Sequence, residues 1–345
     1  MDNTIIYRDA EALLDRVELY ELQGKRILIT GATGLIGTYL LYTIREFVKR
    51  GNSVHSVIIV ANQELPEHLK ELEKASWLDI IRGDLSDLDL CRRLPRADYI
   101  IHAAGYGQPA RFSIDQAKTI KLNTCVTFAL LDRLTENGKF LFISSSGIYS
   151  GLQKEKFCET DVGTTNTMHP RACYIEGKRC GEAICNAYRA KGINAKSARV
   201  SYTYGPGVRG NDTRALYNFI QKGFKGDIRL LDDGSAQRIY CYVADVVEIL
   251  WDIILKGKEP IYNVGGTEGI TIRELAQLVA DRLKILVILP EQSNAVPGNA
   301  AIERLDISKV VSEFHKTDFI DIHNGVERTI EWYSQFQRTE SARAR

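Results

Sequence analysis

No apolar run in this 345-residue chain approaches the ~20 residues that a membrane span needs. The opening stretch, MDNTIIYRDAEALLDRVELYELQ, also lacks the basic-then-apolar pattern of a secretion signal, so a cytoplasmic protein with no membrane partner is expected. An excess of either charge is missing as well: 45 Lys and Arg against 44 Asp and Glu leave a net charge of +1. No global field or basic stripe recruits nucleic acid, and any anionic ligand must be met by local arginines. The seven cysteines form no CxxC pair and are odd in number. That points away from a disulfide framework or a zinc site and toward reduced packing thiols, with no metal expected. With 44% hydrophobic and 26% charged residues, the composition is that of an ordinary soluble enzyme. The length suffices for one large α/β core, or a core plus a smaller lobe.

The stretch on which the rest is organised is KRILITGATGLIG, residues 25–37. Ile27, Leu28 and Ile29 read as a strand buried on both faces, and Gly31, Gly34 and Gly37 turn the chain into a helix beginning near Leu35. Such a turn suits a dinucleotide pyrophosphate. The glycines allow a tight bend and a bare backbone, while the N–H groups of Thr33, Gly34, Leu35 and Ile36 belong to a helix N-terminus that attracts phosphate. The spacing is GxxGxxG rather than GxGxxG, and three glycines in such a place can also be a plain turn.

Residues 5–20 set Leu13, Leu14 and Val17 at helical spacing, predicting an extra helix on the outside of the domain. A second strand, SVIIVA at 56–61, ends in Asn62 and carries neither the acid that takes an adenosine ribose nor an arginine for a 2′-phosphate. NAD is therefore expected, with NADP not excluded. Residues 77–83 read as a third strand. Asp84, followed by Leu85, either accepts from an adenine amine or caps a helix starting at Ser86. Residues 98–105, DYIIHAAG, are a fourth strand whose Ala103, Ala104 and Gly105 leave room for a cofactor, or make a tight strand-to-helix turn. A long helix is expected over 113–134, then a fifth strand at 139–144 delivering Ser145 and Ser146 to the same edge. From Arg171 a helix returns, with Cys180, Ala183, Ile184 and Ala187 as a core stripe and with Tyr174 and Lys178 four apart on one face.

A tyrosine and a lysine four apart are common on solvated helices, but their order after a glycine turn, a small-residue loop and a strand-end serine is not. Together these features resemble an extended short-chain dehydrogenase/reductase, and more narrowly the NAD-dependent sugar epimerase/dehydratase family. The resemblance covers residues 25 to about 335 and runs on through LNT at 122–124, RVSYTYGPG at 199–207, NDTRALYNFI at 211–220, DDGSAQRIYCYVADV at 232–246, YNVGG at 262–266 and ERLDISK at 303–309.

The resemblance implies an α/β fold, a doubly wound parallel sheet of Rossmann type with a smaller C-terminal substrate lobe. Residues 25–204, with 233–264 returning, would bind the dinucleotide. Residues 205–232 and 265–335 would grip a nucleotide-diphosphate sugar, 1–24 would be a helical extension and 336–345 a flexible tail. Helices at 212–222 and 271–283 would help to form a lid. Tyr174 would be the base, Lys178 would hold the nicotinamide ribose and favour phenolate, and Ser145 would bond the reacting sugar oxygen, with Ser146 the fallback. Tyr204, Arg214, Arg238 and Arg304 would contact substrate, the arginines as diphosphate ligands; Asn123 and Asn186 are weaker candidates. The helices at 113–134 and 171–190 would pair with their mates into a homodimer.

One absence bears on the reaction. The family's 4,6-dehydratases follow the catalytic threonine with Asp-Glu and its decarboxylases carry Ser-Glu there, whereas here Ser145 is followed by Ser146-Gly147. What remains is the minimum for reversible oxidation, which suits a 4-epimerase or a 4-keto-sugar reductase. Similarity outside the site leans to the decarboxylases. A cofactor-sensing scaffold is the reading outside enzymes, and it has no need of Ser145, Tyr174 and Lys178 together.

Overall fold

The structure, a computed structural model, describes residues 4–208, 212–290 and 304–343, with the backbone alone at 109–110 and 336–343. Its centre is a seven-stranded sheet in which every pairing is parallel. β1 (Arg26–Thr30) lies between β2 (Ser56–Ala61) and β4 (Ala97–His102), β3 (Leu78–Arg82) flanks β2, and β5 (Leu134–Ser145) flanks β4. Strands Asn194–Val200 and Ile261–Val264 complete the edge beyond β5. All six residues of β2 are buried, as a strand covered on both faces requires. The strand order reverses between β1 and β4, whose ends pair at Thr30 and His102, and that reversal opens a crevice at their carboxyl ends.

The helix after β1 spans Leu35–Lys49 and starts at Gly34, which offers no side chain to cap it. Its first N–H groups are thus left for a ligand. The expected helix over 113–134 is two pieces, Gln116–Asn123 and Cys125–Leu131, after a separate short helix at Pro109–Phe112, and β5 begins already at Leu134. Thr119, Asn123, Thr124 and Thr127 each return a side-chain hydrogen bond to the carbonyl four residues earlier, a habit that bends helices, and Asp115 caps a new start. β5 is longer than expected because Leu134 already pairs with Ala97, before an irregularity shifts the register to Tyr99 with Lys139.

A smaller sheet orders Gly269–Thr271, Gln237–Tyr242 and Tyr202–Tyr204. Within the expected 233–264 segment, helix Val243–Leu255 packs on the main sheet and strand Ile261–Val264 joins it, while Gln237–Tyr242 belongs to the smaller sheet. Helix Ile272–Leu283 opens with a capping box between Thr271 and Glu274, and packs near Gly223 at the end of helix Ala215–Gly223. Helix Ile322–Arg343 takes in most of the expected tail; residues 344–345 lie outside the described residues.

The N-terminal helix is shorter and deeper than expected. It spans Thr4–Leu14, buries Ile5, Ile6, Ala10 and Leu13 in the main core, and leaves Leu14 half-buried. Its buried Asp9 accepts hydrogen bonds from Tyr39 (2.7 Å), Tyr242 (2.5 Å) and Arg328 (2.6 Å), tying the extension to helices 35–49 and 322–343. No helix among the described residues is long and apolar enough to cross a membrane.

Candidate active site

The glycine turn meets the small-residue loop by close backbone contact. Gly31 has φ +71°, and a Cβ there would lie 2.5 Å from the Ala103 carbonyl carbon and 2.7 Å from the Ala104 nitrogen. Gly37 is equally closed, 2.4 Å from the Ala32 Cα, whereas Gly34 is exposed and meets only the Gly31 oxygen at 3.3 Å. Two glycines therefore serve close packing, and the third leaves backbone open toward a ligand. Thr33 and Ile36 are half-buried beside it and Leu35 is buried. The Ala104 N–H donates to Thr30 Oγ1 at 3.2 Å, and Thr30 Oγ1 is 2.7 Å from His102 Nδ1. Burial drives the His102 pKa down to about 3, so the imidazole stays neutral.

At the outer rim, Asn62 is exposed after β2. Asp84 does not cap a helix at Ser86: the helix starts at Leu88 with Asp87 as its cap. Asp84 instead accepts from the Ser86 N–H and hydroxyl and pairs with Lys118. Leu85 is buried in the core on that face.

Ser145, Tyr174 and Lys178 come together as the sequence predicts. Helix Ala172–Arg189 carries the last two. The Ser145 side chain stands close enough to the Tyr174 phenol to lower its pKa, and its Oγ accepts the Gly147 N–H at 3.0 Å. Ser146 is half-buried in the following turn. The Tyr174 ring stacks on Phe112 with centroids 4.8 Å apart and an interplanar angle of 14°, a contact no motif announces. Lys178 is buried, donates from Nζ to the Ile143 carbonyl at 2.7 Å, and lies 5.9 Å from the Tyr174 ring centroid.

The expected pull of Lys178 toward phenolate is not the dominant effect. Burial raises the Tyr174 phenol above its ordinary value, opposed by the Ser145 side chain and by the charges of Arg171 and Arg214. The Lys178 ammonium is itself pulled down by burial to about 7, with Glu182 opposing. Asn123 and Lys178 both border the loop: a Cβ on Gly105 would meet Lys178 Nζ at 3.6 Å and Asn123 Oδ1 at 3.7 Å. That Oδ1 is buried and has no hydrogen-bond partner in the structure. An unfilled acceptor beside a lysine, under a loop without side-chain bulk, fits a ligand crossing the sheet edge here.

The substrate candidates divide. Tyr204 is a core residue: its buried hydroxyl points at Gly325, where a Cβ would come within 2.0 Å, so it faces away from the crevice. Arg214 is tied down by Asp212 on both Nε and Nη2 and donates to the Thr203 carbonyl at 3.0 Å. Arg238 is half-buried with its guanidinium carbon 5.7 Å from the Tyr202 centroid, and Arg304 is exposed on a short strand paired with Lys156. Neither of these two forms an ion pair with a described residue. Asn186 is exposed on helix Ala172–Arg189. The expected core stripe there is corrected as well. Cys180, Ala183 and Ala187 are exposed and only Ile184 is buried; Gly177 and Gly181 make the inward contacts, against Asn123 and Phe142.

Residues 27–265 match the NAD dependent epimerase/dehydratase family. The chain belongs to that family. Its relatives include UDP-glucuronic acid decarboxylase 1 of Danio rerio, 30% identical over 92% of this chain and 74% of the relative. UDP-glucuronic acid decarboxylase 6 of Arabidopsis thaliana is 31% identical over 82% of this chain and 81% of its own length. Among solved structures, a dTDP-glucose 4,6-dehydratase from Streptomyces venezuelae with NAD bound superposes with a TM-score of 0.76 at 21% identity, covering 90% of this chain and 97% of that one. UDP-glucuronic acid 4-epimerase from Bacillus cereus, in complex with UDP-glucuronic acid and NAD, gives 0.74 at 22% identity over 90% and 99%. NAD is the family's cofactor, and the glycine cradle, the 103–105 loop and the orphaned Asn123 acceptor fit it.

Proposed function

We propose that this family member is an NAD-dependent nucleotide-sugar epimerase acting by transient oxidation at C4 of a nucleotide-diphosphate hexose or related sugar. The observation that carries the reading is Gly147. It stands where the dehydratases and decarboxylases of the resemblance have a carboxylate, and a Cβ there would lie 3.2 Å from Tyr174 Cε1 and 3.3 Å from Ser145 Oγ. The position borders the reacting groups, yet offers no acid to expel a C6 hydroxyl. Tyr174 takes the C4 hydroxyl proton, and Ser145 hydrogen-bonds that oxygen as charge develops on it. Bound NAD supplies the oxidant at C4 and, in reverse, the reductant. The Gly31 to Gly37 turn would hold its pyrophosphate and Lys178 its nicotinamide ribose.

A second reading is favoured by the two decarboxylase relatives. A ketone at C4 makes a carboxylate on C5 a β-keto acid, which loses carbon dioxide with no enzymatic acid, so Gly147 weighs against elimination more than against decarboxylation. One experiment divides the possibilities. With a panel of nucleotide sugars deuterated at C4, the epimer should keep the label at C4, gain no solvent hydrogen at C5 and form without added reduced cofactor. Solvent hydrogen at C5 without loss of carbon dioxide moves the protein to the dehydratases or to a 3,5-epimerase, released carbon dioxide to the decarboxylases, and an absolute need for reduced cofactor to the reductases.

Arg238 and Arg304 are the diphosphate ligands in this reading, since both guanidinium groups lack an ionic partner among the described residues. Alanine at either position is expected to weaken nucleotide-sugar binding more than NAD binding, by roughly tenfold for a lost charge-assisted contact. Calorimetric titrations in which both ligands lose affinity equally reject the assignment.

A further inference from the structure

One buried ion pair lies directly behind the site and has no part in the reading so far. Glu182 sits one helical turn beyond Lys178 on helix Ala172–Arg189, and Arg199 reaches it from strand Asn194–Val200. Their side chains are 6% and 5% exposed. The Glu182 carboxylate accepts Arg199 Nε at 3.0 Å on one oxygen and Nη2 at 2.8 Å on the other, and takes the Ser144 hydroxyl at 2.5 Å. Ser144 immediately precedes Ser145. Arg199 Nη1 donates onward to Tyr149 Oη and to the Glu159 carbonyl, both at 2.8 Å, and Tyr149 donates to Asn263 at 2.7 Å. A paired and fully bonded charge of this kind tolerates no movement without leaving a buried ion exposed to nothing.

We propose that Glu182, locked by Arg199, is a positioning residue of the active site: it pins the end of β5 that presents Ser145 and sets a carboxylate one helical turn behind Lys178. The surroundings of Lys178 support this. β4 faces it with His102, which is neutral, and β5 with the Ile143 carbonyl and the Phe142 ring, 4.9 Å from Nζ. Helix Gln116–Asn123 contributes the uncharged Asn123, and its own helix contributes Tyr174 and Glu182. Arg199 stands behind Glu182, from strand Asn194–Val200. Glu182 is the charge that opposes burial at Lys178. Without it, the desolvated ammonium keeps a carbonyl and a ring for support but no carboxylate one turn away.

This inference deepens the reading of the same site, yet its test needs neither substrate nor turnover, so it stands or fails apart from the epimerase reading. The protein is labelled with 13Cε-lysine, the Lys178 signal is assigned by its loss in Lys178→Met, and the cofactor-free protein is titrated. The wild-type midpoint is expected near the value of about 7 that burial imposes. In Glu182→Gln, which keeps an acceptor for Ser144 and Arg199, the midpoint should fall by about one pH unit. In Ser144→Ala, which keeps the charge, it should stay. If Glu182→Gln does not fold, Glu182→Gln with Arg199→Met leaves no buried charge unpaired and should still show a fall, a smaller one because the Arg199 cation goes with the carboxylate. An unchanged midpoint in whichever of these folds overturns the proposal. So does an equal fall in Ser144→Ala, because loosened packing rather than charge would then be the cause.

Discussion

Tyr174→Phe should lose turnover by a factor of about 10² to 10⁴, the usual share of a positioned proton acceptor, or about 3–5 kcal/mol of barrier. Fold and ligand binding should survive. The ring is held by its stack on Phe112, which phenylalanine preserves, and Ser145 keeps the Gly147 N–H once the phenol is gone. What disappears is the phenol oxygen beside Ser145, which feels the Arg171 and Arg214 charges. Burial holds the phenol above its ordinary value in the cofactor-free protein, so the acid limb of the wild-type rate profile reports how far bound ligands and those charges bring it down. Stopped assays for turnover, run beside calorimetry for NAD and nucleotide sugar, separate the effects. Wild-type turnover in the phenylalanine variant would remove Tyr174 from the mechanism, and loss of NAD binding would show that the hydroxyl serves the cofactor instead.

The parts legible in the sequence are those fixed by local pattern. The strands at 26–30, 56–61 and 78–82 are short apolar runs closed by turn residues, and the Tyr174–Lys178 spacing needs only a helix to bring the groups onto one face. The long helix over 113–134 was not legible as broken, because the break comes from side-chain hydrogen bonds to backbone at Thr119, Asn123, Thr124 and Thr127, and those residues are indifferent helix formers rather than breakers. The direction of a helix face is also tertiary. Cys180, Ala183 and Ala187 look like a core stripe by spacing, but Gly177 and Gly181 let the helix approach Asn123 and Phe142 on the other side. Tyr204 fails for the same reason: a motif position gave its neighbourhood in the chain, and its hydroxyl turned to Gly325, more than a hundred residues away. The Glu182 to Arg199 pair joins a helix to a strand, and no spacing rule connects them. The N-terminal helix is the converse case, since its Asp9 sits among apolar residues and finds three partners only through the fold.

The glycine turn supplies a contrast that tests fold and cofactor separately. Gly31→Ala places a Cβ at φ +71°, which costs an L-residue about 1–2 kcal/mol. The same Cβ meets backbone of Ala103 at 2.5 Å and of Ala104 at 2.7 Å. Neither neighbour can yield easily, because Thr30 and His102 on the same two central strands are paired in register and linked through Thr30 Oγ1. Overpacking of this kind adds about 1–3 kcal/mol, so the variant should lose a large part of a typical stability margin and melt well below the wild type with or without NAD. Gly34→Ala meets only the Gly31 oxygen at 3.3 Å, at φ −89° on an exposed turn. Its melting temperature without ligand should stay within a few degrees of the wild type. If a pyrophosphate lies against that bare backbone, NAD should bind at least tenfold more weakly and raise the melting temperature less, by the mass-action relation between affinity and stabilisation. A Gly34→Ala protein with undiminished NAD affinity would place the phosphates elsewhere on the turn, and a Gly31→Ala protein that melts like the wild type would mean that the β1 and β4 loops can part where the structure holds them in contact.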